Sequence, residues 1–107
     1  MSHVFLSHAK TDGSWTQGLC DALEAAGIPC WIAPRDIPAG ERFVEAIVRA
    51  LGESHAVVVV VSERSAASRY VLAEVKRAFE EGRKIVPVRL DGATLPPELE
   101  FYTNQHQ

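Results

Sequence analysis

The sequence predicts an α/β fold in which a parallel sheet lies between two layers of helices. Short apolar runs alternate with stretches of helical periodicity over residues 3–88. Such alternation gives parallel strands that are joined by right-handed crossover helices. The run AVVVVV at residues 56–61 is apolar at every position, as expected of a strand that is buried on both faces of the sheet.

The first third of the chain is expected to form a strand, a helix and a second strand. HVFLS at residues 3–7 is a short apolar strand, and the polar turn KTDGS follows it. Asp12 or Ser14 is expected to cap a helix that ends at Gly27. IPCWIA at residues 28–33 is the second strand, and its proline favours an edge position. The helix is indicated by apolar side chains at helical spacing: Trp15, Leu19, Ala22, Leu23 and Ala26.

The rest of the chain continues the alternation. A loop with two prolines occupies residues 34–41, and a second helix ends at Gly52. The central strand is followed by a third helix over about residues 67–81 and by a strand at residues 84–88. The segment after residue 88 has weak structure signals and no closing helix. The second helix is expected to bury one face: Phe43, Ile47, Ala50 and Leu51.

Composition excludes several classes of protein. The chain has 107 residues, of which 47% are hydrophobic, and a formal net charge of −3. This predicts one domain with a real core and gives no basic footprint for nucleic acid. No apolar run approaches the roughly 20 residues of a membrane span, and no signal peptide precedes the first strand, so a cytoplasmic location is expected.

The cysteines and histidines give no metal-binding pattern. The sequence has no CxxC, no HExxH and no His/Cys cluster, so no metal site is expected. Cys20 and Cys30 lie in apolar surroundings. They are expected to be buried and reduced.

A glutamate at the border of the third helix is the main candidate for chemistry. At about 100° per residue, Glu74 lies roughly 100° from the centre of the apolar face, early in the helix. A carboxylate there points toward the carboxyl edge of the sheet, where open α/β folds bind ligands. The simplest alternative is an exposed glutamate that pairs with Arg77. No second carboxylate is fixed beside it, so a two-carboxylate hydrolase is not indicated.

Other residues near this edge have ordinary explanations. No GxxxxGKS/T or GxGxxG follows the first strand, so the nucleotide-binding fingerprints are absent. The endings LSH and VVS of the first and third strands lack the acidic residues of a receiver domain. His8 either lines a cleft or has a structural role, and Trp31 is expected in the core. Three serines are expected to cap helices rather than to act as nucleophiles: Ser62, Ser65 and Ser68.

Three stretches resemble a Toll/interleukin-1 receptor (TIR) domain of the bacterial kind. VFLSHAKTDGSW resembles the family's first box, and GIPCWIAPRDIPAGERFVEAI resembles its second strand, BB loop and following helix. SHAVVVVVSERSAASRYVLAEVKRAFEEGRKIVPVRLD resembles the central strand, the helix with the catalytic glutamate and the fourth strand. The resemblance covers about residues 3–100. It implies a flavodoxin-like three-layer fold with strand order 2-1-3-4-5.

The resemblance also implies how the domain is organised. The family's fifth strand and last helix would lie beyond Gln107, so a TIR domain over residues 1–107 is expected to be incomplete at its C-terminal end. Any sensor or assembly domain would follow it.

The resemblance further implies an activity. Many bacterial and plant TIR domains cleave NAD+ with a glutamate that follows an aromatic residue by one helical turn. SRYVLAEV matches this pattern with Tyr70 and Glu74, although the family often has Trp in place of Tyr70. The implied enzyme is an NAD+ glycohydrolase or ADP-ribosyl cyclase that releases nicotinamide, with NAD+ as substrate and no further cofactor. Glu74 would be catalytic. The substrate-binding residues implied by position are Phe5, Ser7, His8, Lys10, Trp31, Ala33, Pro34, Arg35 and Tyr70.

Family behaviour implies activation by assembly. TIR NADases are usually dormant as monomers and associate through the BB loop, here residues 33–41, into oligomers or filaments. In bacteria they commonly serve antiphage defence. The alternative is a non-enzymatic interaction module that acts through the same loop, in which Glu74→Ala would leave function intact. The residues implied in assembly are Arg35, Asp36, Ile37, which is expected to be exposed, and Pro38.

Overall fold

The computed structural model describes residues 2–103, and in this part of the chain four parallel strands form one sheet in the order β2-β1-β3-β4. This is the 2-1-3-4 portion of the predicted flavodoxin-like arrangement, so the predicted fold class is confirmed. The strands are β1 (His3–Ser7), β2 (Cys30–Trp31), β3 (Ser54–Val61) and β4 (Lys84–Arg89).

Helices connect the strands and cover the sheet. A 3-10 turn at Lys10–Asp12 leads into the first helix. Gly27 and Gly82 follow the first and fourth helices with φ values of +84° and +74°. This is the left-handed conformation that glycine adopts without a steric cost, and it ends a helix. The helices are α1 (Gly13–Ala25), α2 (Phe43–Glu53), α3 (Glu63–Ala66), α4 (Arg69–Glu80) and α5 (Pro97–Thr103).

The side chains of β1 divide between two core clusters. Val4 and Leu6 pack with Cys20 of α1 on one face of the sheet. Phe5 packs with residues of α2 and α4 on the other. Because side chains alternate along a strand, Ser7 lies on the same face as Phe5 and therefore toward α4. Cys20 and Cys30 are both buried with free thiols.

The second strand is shorter than predicted. β2 has two residues and, among the described strands, pairs with β1 alone, through Cys30 opposite Val4 and Trp31 opposite Phe5. The chain leaves the sheet after it because Asp36 N donates to Ile32 O at 2.9 Å and closes a turn. This turn begins the BB loop.

The predicted third helix, residues 67–81, is confirmed as α4, and α3 is a short helix before it that was not predicted. Ser62 and Ser65 form a capping box at the start of α3, and the Ser68 side chain accepts from Val71 N at 3.2 Å at the start of α4. The three serines thus satisfy backbone N–H groups at helix ends. Their predicted capping role is confirmed.

A helix after β4 was not predicted from the sequence. α5 buries Leu99, which is 1% exposed, against the core, and Tyr102 contacts the Phe79 ring with centroids 5.0 Å apart. Its start follows known signals, since Pro97 occupies the first helical position and Glu98 lies in the first turn. The expectation of weak structure here is wrong. Within residues 2–103, no helix is long and apolar enough to cross a membrane.

Candidate active site

A cavity of about 580 Å³ opens at the carboxyl edge of the sheet. Its walls come from the end of β1 and the segment after it, from the turn after β2, from the first turn of α2 and from the first two turns of α4. This is the place where parallel α/β sheets hold ligands. The predicted site residues that line it are Phe5, His8, Lys10, Ala33, Pro34, Tyr70 and Glu74.

Glu74 is half-buried in this cavity. Ser7 Oγ donates a hydrogen bond to Glu74 Oε1 at 2.7 Å. Burial raises the pKa of Glu74 to about 7, and the Ser7 hydrogen bond acts in the opposite direction. Arg77 instead pairs with Glu81, Nε to Oε2 at 3.0 Å. The pairing of Glu74 with Arg77 that would have explained it as a surface residue is therefore wrong.

The position of Ser7 in the sheet explains its role. Ser7 is the last residue of β1 and is fully buried, so it does not line the cavity. Its hydroxyl lies behind Glu74 and fixes one carboxylate oxygen. The other oxygen, Oε2, has no hydrogen-bond partner among the contacts that the structure describes. Glu74 is thus oriented from behind and open in front.

Two aromatic rings, each from a different helix, line the cavity. Phe43 of α2 is 50% exposed and Tyr70 of α4 is 72% exposed, and both line the cavity. The expectation that Phe43 belongs to the buried face of its helix is wrong. It is the first residue of α2, and the first turn of a crossover helix overhangs the carboxyl edge of the sheet. Its place directly after the BB loop is the sequence signal that could have identified it.

Basic side chains lie after β1. Lys10 lines the cavity and is exposed. His8 also lines it, and its ring joins two segments: Nδ1 lies 2.7 Å from Ala9 O and Nε2 lies 3.2 Å from Ala33 O. His8 therefore lines the cleft and also connects the end of β1 to the BB loop. These were the two alternatives that the sequence left open.

Trp31 and Arg35 do not line the cavity. Trp31 is buried and stacks on Phe5 with ring centroids 5.1 Å apart and planes 10° apart. Arg35 pairs with Glu24 and Asp36. Of the wall implied for this side, Ala33 and Pro34 are the parts that face the cavity.

The BB loop also differs from expectation at Ile37. This side chain was expected to be exposed, but it is partly buried and packs against the core cluster on the face of α2 and α4. At the far end of the loop, Glu41 pairs with Arg49 of α2. The loop is thus attached to the body of the domain at both ends.

A buried polar network lies beside the cavity. Asp12 is 3% exposed and accepts from Ser62 Oγ at 2.5 Å and from Arg64 Nε at 2.6 Å. It joins the turn after β1 to the turn after β3. Within residues 2–103 no group of three or more His, Cys, Asp or Glu side chains is arranged to hold a metal ion.

Comparison with known proteins gives the family. The sequence profile described as TIR domain matches residues 4–107. A curated relative, the stimulator of interferon genes protein of Magallana gigas, is 32% identical over an alignment of 106 residues that covers 91% of this chain and 26% of that protein. The chain therefore spans about a quarter of the length of this relative.

Solved structures agree. The TIR domain of the Toll-related receptor TRR-2 from Hydra magnipapillata superposes with a TM-score of 0.84 at 25% identity, over 94% of this chain and 79% of that one. A metazoan TIR-STING receptor from C. gigas superposes with a TM-score of 0.79 at 30% identity, over 96% of this chain and 36% of that one. The TIR domains of the activated Roq1 resistosome superpose with a TM-score of 0.74 at 28% identity, over 83% of this chain and 57% of that one. With a family profile that spans almost the entire chain and the same fold in these relatives, the chain belongs to the TIR domain family.

Proposed function

We propose that this chain cleaves NAD+ at the bond between ribose and nicotinamide, with Glu74 as the catalytic residue. The observation that supports this best is the setting of its carboxylate. It faces an open cavity at the carboxyl edge of the sheet, is held from behind by Ser7, and has no basic partner among the described residues. A structural glutamate would be expected to have such a partner or to be fully solvated.

The chemistry suits a single carboxylate. Nicotinamide leaves as a neutral base from a cationic ring, so no acid is needed at the leaving group. Positive charge then grows on C1 and the ring oxygen of the ribose, as in other glycosyl transfers. An ionised Glu74 stabilises that charge. Addition of water gives ADP-ribose and a proton, and attack by an adenine nitrogen gives the cyclic product.

The remaining lining residues are suited to hold the rest of NAD+. Phe43 and Tyr70 offer exposed rings against which a planar base can stack. Lys10 offers a cation for the pyrophosphate. NAD+ is the substrate in this proposal, and no further cofactor takes part.

Loss of the Phe43 ring should weaken substrate binding. Phe43→Leu should raise the KM for NAD+ by about tenfold, because stacking of a base on an aromatic ring contributes about 1–3 kcal/mol. Phe43→Tyr should leave KM within about twofold, since the ring is kept. Thermal melts of both variants should match the unmodified protein, because the ring is 50% exposed. A Phe43→Leu variant with unchanged KM would remove this residue from the binding site.

The relatives support activation by assembly. One of them is part of an activated resistosome and another is a TIR-STING receptor. We propose that the chain is activated when its TIR domains associate through the BB loop, into oligomers or a filament, and that it acts in immune signalling, with antiphage defence as the bacterial form of that role. NAD+ is available in the cytoplasm, which is the location we propose.

The decisive experiment is to measure nicotinamide release. The protein, clustered on beads to impose association, is incubated with NAD+, and nicotinamide is separated by chromatography and quantified. Glu74→Gln on the same beads is the control. Release that depends on Glu74 supports the proposal. Folded, clustered protein that releases none contradicts it.

The pH profile gives an independent check. An ionised Glu74 is required, so kcat/KM should rise with pH through a midpoint at about 7, the pKa of the free carboxyl. The midpoint of kcat should lie at lower pH, because the bound cationic substrate favours the carboxylate. In the unmodified protein the hydrogen bond from Ser7 lowers the pKa of Glu74. Ser7→Ala removes this bond, so it should move the kcat/KM midpoint to higher pH. A flat profile from pH 5 to pH 9 would contradict this role for Glu74.

A second candidate is a non-enzymatic interaction module. Val44 is 66% exposed beside Phe43, directly after the BB loop, and exposed apolar side chains favour partner contacts. In this case Glu74→Gln would leave partner binding unchanged, and no nicotinamide would be released.

A further inference from the structure

Three charged side chains outside the cavity hold the start of the BB loop. Arg35 Nη1 and Nη2 donate to Glu24 Oε1 and Oε2, both at 2.9 Å. Arg35 Nε and Nη2 donate to Asp36 Oδ1 and Oδ2 at 2.9 and 2.8 Å. Glu24 lies on α1 and the other two lie in the loop. We call Glu24, Arg35 and Asp36 the loop clamp.

The loop clamp also binds the backbone of the segment that precedes the cavity wall. Arg35 Nη2 donates to Cys30 O at 3.2 Å in β2, and Ile32 N donates to Asp36 Oδ2 at 2.8 Å. These two hydrogen bonds join Arg35 to Cys30 and Asp36 to Ile32. Ala33 and Pro34 lie within both of the turns that are closed in this way, and both line the cavity. The wall is therefore held by contacts that lie outside the cavity itself.

The geometry leaves Arg35 little capacity for other ligands. Each guanidinium nitrogen donates to Glu24, to Asp36 or to both. The hydrogen bond from Arg35 lowers the pKa of Glu24, so the pair stays charged at neutral pH. Bidentate arginine–carboxylate pairs are geometrically specific, and networks of charges hold better than isolated surface pairs.

We propose that Glu24 and Arg35 are positioning residues that hold the wall formed by Ala33 and Pro34 in the conformation that binds NAD+, and that neither side chain touches the substrate. The effect on catalysis rests on the proposed function. When a fraction of the protein has the loop in another position, the apparent affinity for NAD+ falls in proportion to the fraction that remains competent to bind. Glu74 is on α4, so the chemical step in the bound complex keeps its rate.

Glu24→Gln tests this from outside the loop and the cavity. Its matched control is Asp21→Asn on the same helix, since each variant removes one negative charge and Asp21 bonds only to Gln17, at 2.9 Å, among the described residues. With bead-clustered protein, Glu24→Gln should raise the KM for NAD+ about three- to fivefold, as expected for loss of a charged surface network. Its kcat should stay unchanged, and Asp21→Asn should change neither.

Amide hydrogen exchange supplies a readout that does not depend on activity. In Glu24→Gln, a peptide covering residues 31–37 should exchange faster than in the unmodified protein, while peptides from β3 should not change. Equal KM and equal exchange in Glu24→Gln and Asp21→Asn would overturn the proposal. So would a fall in kcat at constant KM, because that would place the clamp in the chemical step.

The two proposals fail in different ways. If the unmodified protein releases no nicotinamide, the proposed enzymatic function fails, and hydrogen exchange alone decides whether the clamp holds the loop. Faster exchange at residues 31–37 in Glu24→Gln would then support the positioning role, and unchanged exchange would refute it. If nicotinamide is released and Glu24→Gln behaves like Asp21→Asn in both measurements, the function stands and the clamp is refuted.

Discussion

Glu74→Gln should lower the rate of nicotinamide release by at least about 100-fold, the usual consequence of removing a group that stabilises charge in the transition state. The amide has a similar shape and can still accept the hydrogen bond from Ser7. What it lacks is the negative charge that faces the ribose. Nicotinamide release by clustered protein, quantified by chromatography, measures the effect. Retention of more than half of the activity would show that another residue does the chemistry.

The same substitution should make the protein more stable. A carboxyl whose pKa is raised to about 7 on folding binds a proton more tightly in the folded state than in the unfolded state. Stability therefore falls as pH rises from about 4.5 to about 7, and the full penalty is present above pH 7. The raised pKa corresponds to a penalty of roughly 3 kcal/mol at pH 8. Because Glu74 is only half-buried, solvent reduces this to about 2 kcal/mol. Gln removes that penalty, which corresponds to a rise of roughly 8–16 °C in Tm.

The pH dependence of this gain separates it from ordinary effects of substitution. Below pH 4 Glu74 is protonated in both the folded and the unfolded state, so Glu74→Gln and the unmodified protein should have the same Tm. Glu80→Gln on the exposed side of the same helix should change stability by less than about 0.5 kcal/mol at either pH. A lost activity with a raised Tm would also exclude misfolding as the cause. Equal melting of Glu74→Gln and the unmodified protein at pH 8 would show that the carboxylate is solvated.

Asp12→Ala should cost about 2–3 kcal/mol of stability, because it leaves the fully buried Ser62 hydroxyl without its acceptor and releases Arg64. The expected fall in Tm is at least roughly 8 °C. Asp12→Asn should lose less stability than Asp12→Ala, since its amide oxygen can still accept the hydrogen bond from Ser62. Chemical denaturation of the three proteins measures the differences.

The control for Asp12 is an aspartate of the same chain in an exposed position. Asp21→Ala on α1 should change stability by less than about 0.5 kcal/mol. If Asp12→Ala costs no more than Asp21→Ala, the network beside the cavity does not hold the two turns together.

Periodicity determined the order of the elements and the position of Glu74. The valine run indicated a strand that is buried on both faces. The side of α4 that meets the sheet was indicated by the apolar face of the third helix, which consists of Val71, Leu72, Val75, Ala78 and Phe79. These are local properties, because a strand repeats every two residues and a helix every 3.6. The resemblance to the TIR family then selected Glu74 among several border residues. Its catalytic role stays a prediction.

Local signals were weaker where the chain is irregular. The length of β2 was overestimated, and α3 and α5 were missed, because turns and caps depend on single side chains rather than on a repeating pattern. Pro97 and the glutamates after it were available as signals for α5. α3 was missed although Ser62 and Ser65 are good capping residues, because its four residues are too few to show a helical repeat.

The sequence by itself determined the family, the parallel sheet and the position of Glu74 near its carboxyl edge. Only the tertiary structure decided what surrounds that carboxylate. Ser7 meets Glu74 across 67 positions of the chain, and Asp12 meets Ser62 across 50. Phe43 lines the cavity, and Arg35 forms an ion pair with Glu24. These pairings depend on how α1, α2 and α4 pack against the sheet, and hydrogen bonds, burial and pKa values follow from distances that a one-dimensional pattern does not contain.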